Sequence, residues 1–101
     1  MTIYKDYRGA LEEICRQFHV RRLEVFGSAA QQDLDDCRDI DLLVEFNEQA
    51  APRRFDNYFE FLRSLENLFA KPVDLVEPEG LQNPFFIKQV NASRRTLYVA
   101  S

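Results

Sequence analysis

Two aspartates, Asp39 and Asp41, stand at the head of the run Asp39-Ile40-Asp41-Leu42-Leu43-Val44-Glu45-Phe46, where a strand ordinarily places apolar or neutral polar residues. Strand side chains alternate faces, so residues i and i+2 point the same way, with about 6.5–7 Å between their Cα atoms. Two carboxylates therefore share one face of one strand. Like charges at that spacing repel, and burial raises at least one pKa unless a cation or strong donors neutralise the pair. Oxygen ligands of this kind suit a hard ion such as Mg2+, which takes one or two protein carboxylates and completes its octahedron with water and substrate phosphates.

The flanking sequence supplies complementary parts. Leu23-Glu24-Val25-Phe26 reads as a short strand that ends at Gly27-Ser28. A glycine lets the backbone approach a ligand closely, and a short helix from Ser28 to about Gln32 would aim free N–H groups at an anion such as phosphate. Farther on, Val73-Asp74-Leu75-Val76 is an apolar strand with a charge at its centre. Buried alone, that carboxylate would be strongly destabilising. Placed beside Asp39-Ile40-Asp41, Asp74 completes a three-carboxylate cluster; the alternative is a salt bridge to Arg38 or another arginine.

Gly27-Ser28, ten intervening residues, Asp39-x-Asp41 and a third carboxylate in a later apolar strand together resemble the nucleotidyltransferase superfamily that includes DNA polymerase beta. More narrowly, the chain resembles the minimal nucleotidyltransferases that pair with HEPN-domain proteins as toxin and antitoxin. The resemblance runs from an N-terminal helix through LEVFGS, DIDLLVEF and an aromatic-rich helix to KPVDLVEP and a Leu-Tyr tail. It implies an α+β fold, with a small mixed sheet of three or four strands backed by helices. It also implies transfer of AMP from ATP to a hydroxyl, a tyrosine of a HEPN ribonuclease toxin being the expected acceptor. In such an enzyme Asp39 and Asp41 hold two Mg2+ ions, and Asp74 binds metal on the nucleophile side and assists loss of the hydroxyl proton. Gly27, Ser28 and position 31 approach the nucleotide phosphates. The sequence departs from the family at Ala29-Ala30-Gln31-Gln32, where Arg-Ala-Arg-Gly is usual; Gln31 replaces only part of an arginine's hydrogen bonding and none of its charge. This departure supports the second expectation, a degenerate member that neutralises its partner by binding alone.

The chain's 101 residues are expected to form one domain spanning 1–101, with no room for a separate acceptor-binding domain. Hydrophobic residues make up 46% and include nine Phe, enough for a core. A net charge of −4 argues against a general nucleic-acid grip, which needs clustered Lys and Arg. Cys15 and Cys37 lack disulfide-framework or zinc spacing, and no signal-like or membrane-length apolar run occurs. A soluble, cytoplasmic protein with reduced thiols is the expectation.

Tyr4, Tyr7, Leu11, Ile14, Cys15 and Phe18 recur at helical spacing, predicting an amphipathic helix over about 3–18 with His19 at its C-terminal end. Asp33, Asp35 and Asp36 fail the calcium-loop pattern and read as turn residues. Pro52 is placed to start a helix that ends near Ala70, with a buried stripe of Phe55, Tyr58, Phe59, Leu62, Leu65, Leu68 and Phe69. Phe61 lies off that stripe and is expected to contact a partner chain. Asn83 caps a short helix from Pro84 to about Asn91 that turns Phe86, Ile87 and Val90 inward, and Thr96–Val99 forms a tail docked on the sheet.

Overall fold

The computed structural model describes residues 3–30, 37–80 and 82–100. Its elements are α1 (Ile3–Gln17), β1 (Val20–Phe26), β2 (Ile40–Phe46), α2 (Arg54–Phe69), β3 (Val73–Val76), α3 (Pro84–Ser93) and β4 (Arg95–Val99). The acidic loop residues Asp33, Asp35 and Asp36, together with Gln31 and Gln32, lie outside the described residues.

The four strands form one mixed sheet in the order β3-β2-β1-β4. β1 pairs antiparallel with both β2 and β4, while β2 and β3 run parallel. A parallel pair needs a long crossover, and α2 with its flanking turns provides it. The α+β architecture expected from the sequence is thus present. The C-terminal tail is a full edge strand.

Alternation along the strands sorts the sheet into two faces. One face supplies Leu23, Val25, Ile40, Leu42, Val44, Val73, Leu75 and Leu97 to the main core, which α1 closes with Leu11 and Cys15, and Phe18 in the turn after it. α2 closes the rest with Phe61, Leu65 and Phe69. Burial pushes the Cys15 thiol up to about 12, with Glu12 adding to the effect, so it stays protonated at neutral pH. Both cysteines are buried and not disulfide-bonded. The opposite face is only partly covered: Phe26 and Leu43 pack under Val90, with Val76 and Phe86 alongside.

α2 corrects one sequence expectation. Phe61 is fully buried, whereas Phe55 is 77% exposed and Phe59 56% exposed. The segment Glu48–Arg53, including Pro52, is 3-10 rather than α-helical, with Asn47 accepting the Gln49 N–H at its start. The α-helical phase is therefore set from Arg54 onward, and the inward stripe runs through Tyr58, Phe61, Leu65 and Phe69 at spacings of three and four. Phe61 stacks against Phe18 and Phe46 at centroid distances of 5.8 and 5.7 Å. It is a core residue and not a partner contact.

The other expected elements appear with small shifts of boundary. His19 ends α1 in the left-handed conformation with φ 60°, and its carbonyl accepts the Asn47 N–H at 2.9 Å. Asn83 caps α3 as expected, accepting the Phe85 N–H at 2.9 Å. Among the described residues no helix is long and apolar enough to cross a membrane.

Candidate active site

The parallel register sets Asp41 directly beside Asp74, and the antiparallel register sets Asp41 opposite Phe26, immediately before Gly27. Neighbouring strands lie about 4.8 Å apart, and paired residues share a face. Asp41 and Asp74 therefore project side by side from the half-open face, with Asp39 two residues upstream of Asp41. Strand register brings Asp41 and Asp74 together, while Asp39 lies just before β2.

Two of the three carboxylates are exposed and one is not. Asp39 and Asp74 face solvent, whereas Asp41 is half-buried. The premise of a buried Asp74 is thus corrected: it is exposed on the half-open face of the edge strand β3. Burial, then the charges of Asp39 and Asp74, hold the Asp41 carboxyl above the ordinary aspartate range. A side chain disfavoured in its charged form by these causes gains from a cation brought among them. Among the described residues, however, no group of three or more His, Cys, Asp or Glu side chains is placed to hold a metal ion. The oxygen donors fit Mg2+ in its usual manner, with one or two carboxylates supplied by protein and the remaining positions left for water and phosphate.

Gly27 opens a 3-10 turn, Gly27–Ala30, at the end of β1. Its φ of +67° lies in the left-handed region, and a Cβ at this position would stand 2.7 Å from Asp41 Oδ2. The glycine therefore serves two geometric needs: it turns the chain and leaves room for the Asp41 carboxylate. Gly27→Ala is expected to destabilise the fold by about 1–2 kcal/mol through backbone strain and to displace Asp41. Thermal melting would register the first effect and a titration with Mg2+ and ATP the second; an alanine variant with wild-type nucleotide affinity would contradict the proposed crowding.

The Gly27 N–H is engaged, donating to Ser93 Oγ at 3.0 Å. Any backbone N–H offered to phosphate must come from residues after it. Ser28 occupies the second position of the turn. Gln31, the third expected phosphate contact, lies outside the described residues.

Both acidic strands are tied down from behind. The Ile40 N–H donates to the Pro72 carbonyl at 3.1 Å, and the Val73 N–H donates to Glu66 Oε2 at 3.1 Å. Lys71 Nζ donates to the Cys37 carbonyl, and the Tyr58 hydroxyl donates to the Leu75 carbonyl. Burial, followed by Glu77 and Asp74, raises the Tyr58 pKa, so this donor keeps its proton. These bonds fix the chain two residues before Asp39 and one residue after Asp74.

Sequence reasoning missed Glu24, the neighbour of Leu43 in the ladder and only 6% exposed. Its Oε2 lies 3.5 Å from Arg94 Nε and accepts from Thr96 Oγ1 at 3.5 Å. A charge within the alternating run Leu23–Phe26 was the available signal; its partners, about seventy residues away, were not.

Known proteins resemble this chain in sequence and in fold. The family described as polymerase beta, nucleotidyltransferase, matches residues 10–101. Protein adenylyltransferase MntA of Thermococcus cleftensis is 33% identical over 72 residues, covering 71% of this chain and 70% of that protein. A solved structure described as a "putative minimal nucleotidyltransferase" superposes with a TM-score of 0.68 at 28% identity, covering 94% of this chain and 95% of the other. The fold also matches that of a chain in the structure described as tri-AMPylated Shewanella oneidensis HEPN toxin in complex with MNT antitoxin, with a TM-score of 0.61, 17% identity and coverage of 97% and 74%. In sequence and in fold, this chain belongs to the polymerase beta nucleotidyltransferase family.

Proposed function

We propose that the chain transfers AMP from ATP to a hydroxyl of a HEPN-domain toxin, a tyrosine being the favoured acceptor, and thereby acts as its antitoxin. The observation that carries this reading is the register that sets Asp41 beside Asp74 and against the Gly27 turn. The relative from Thermococcus cleftensis is named a protein adenylyltransferase, and the Shewanella structure holds an AMPylated HEPN toxin with its MNT antitoxin. Both support the choice of donor and acceptor.

Asp39 and Asp41 are the residues that would hold Mg2+. When bound, Mg2+ neutralises phosphate charge and aligns the attacking and leaving oxygens of an in-line displacement. Asp74, exposed on the edge strand, is open to an incoming hydroxyl and would accept its proton. N–H groups following Gly27 face the triphosphate, and pyrophosphate leaves. The half-open face leaves the acceptor to be brought by another protein. Rate enhancement then comes mainly from positioning and charge neutralisation.

The test is the intact mass of a co-expressed HEPN-domain partner after incubation with this chain, ATP and Mg2+, beside an Asp39→Asn, Asp41→Asn double variant. Gain of whole AMP units with the wild type alone is expected, and chelation of Mg2+ should prevent it. A stable complex without any mass change would instead establish the competing reading, in which a degenerate enzyme silences its partner by binding.

A further inference from the structure

Ser93 closes α3, and its hydroxyl makes two bonds at once. It donates to the Gln89 carbonyl one turn back at 3.0 Å and accepts the Gly27 N–H at 3.0 Å. The bond to Gln89 fixes the hydroxyl rotor, so a lone pair stays aimed at Gly27. Next to it, Arg94 grips the buried Glu24 of β1, which also accepts from Thr96 at the start of β4. The end of α3 is thus fastened to the strand that leads into the glycine turn, and through Ser93 to the turn itself.

A glycine in the left-handed region has no side chain to hold it there and samples other conformations at little cost. We propose that Ser93 is a positioning residue for nucleotide binding: by holding the Gly27 peptide it aims the following N–H groups and preserves the space in which the Asp41 carboxylate sits. The proposal rests on the nucleotidyltransferase reading and adds to it a residue sixty-six positions downstream of the turn. Ser93 need not touch the nucleotide; it acts through Gly27. Removing its hydroxyl leaves a part-buried N–H without that acceptor and the turn without its long-range restraint.

The experiment titrates Mg2+ and the non-hydrolysable ATP analogue AMP-PNP into the wild type, Ser93→Ala and Ser93→Thr, and follows amide exchange at Gly27 in the same three proteins. Ser93→Ala is expected to exchange Gly27 faster and to bind the nucleotide about five- to tenfold more weakly, the range one lost hydrogen bond supplies. Ser93→Thr, which keeps the hydroxyl, restores both, an outcome that general loosening of α3 would not give. Unchanged Gly27 exchange in the alanine variant overturns the proposal, as does faster exchange with undiminished affinity. A wild-type chain that binds no Mg-nucleotide overturns the nucleotidyltransferase reading itself, and this inference with it.

Discussion

At neutral pH, Asp41→Asn is expected to melt at a higher temperature than the wild-type chain while transferring AMP on the order of a hundred to a thousand times more slowly. The two effects share one cause. Burial and the charges of Asp39 and Asp74 hold the Asp41 carboxyl above its ordinary value of 3.8, so the folded state binds its proton more tightly than the unfolded state does. Below 3.8 both states are protonated and nothing is lost. As pH rises through 3.8 and on through the raised folded value, the unfolded chain releases the proton first, and the fold loses stability relative to it. The loss is complete above the folded value. A neutral amide of the same shape removes the penalty, so its advantage in melting temperature should vanish in acid and grow toward neutrality. Mg2+ should reverse the order, raising the wild-type melting temperature and leaving Asp41→Asn nearly unmoved. An amide variant less stable than wild type at pH 7 without metal would show that the Asp41 charge is already satisfied within the protein.

What the sequence made legible is whatever depends on neighbours in the chain. Asp39 and Asp41 stay near each other through their separation of two whatever the rest of the molecule does, although β2 begins only at Ile40, and an apolar strand with a central aspartate had few places to go in so short a chain. The Gly27 turn was readable for the same reason, since glycine is the residue type that tolerates its φ of +67° without strain. Three features were not readable. Glu24 looked like an outward residue of a short strand because its partners Arg94 and Thr96 arrive only when β4 and α3 dock. Ser93 carries no local signal, since its role consists of one hydrogen bond to a distant amide. Asp74 looked buried because its flanking residues Val73 and Leu75 are; it lies on the opposite, half-open face of β3, whose coverage follows from how the helices pack rather than from the strand.

The second large effect is expected at Phe61. Phe61→Ala should lower folding stability by about 3–5 kcal/mol, the range for emptying a buried phenylalanine site, and in a domain this small that is a large part of the total. The ring has no solvent exposure and lies between Phe18 at the end of α1 and Phe46 at the end of β2, so its loss opens the space where both helices meet the sheet. Neither aromatic neighbour is free to collapse into it: Phe18 is held by its backbone N–H to the Ile14 carbonyl, and Phe46 by its pairing with Val20. Phe59→Ala, two residues earlier on the same helix, removes a ring that is already more than half in water and contacts Tyr58 edge-on. Its expected effect is below about 1 kcal/mol. Chemical denaturation of the two variants side by side decides between the phase set at Arg54 and one begun at Pro52. If Phe59→Ala proved the more destabilising, the inward stripe of α2 would have to run through Phe55 and Phe59, and the assignment of Phe61 to the core would fall.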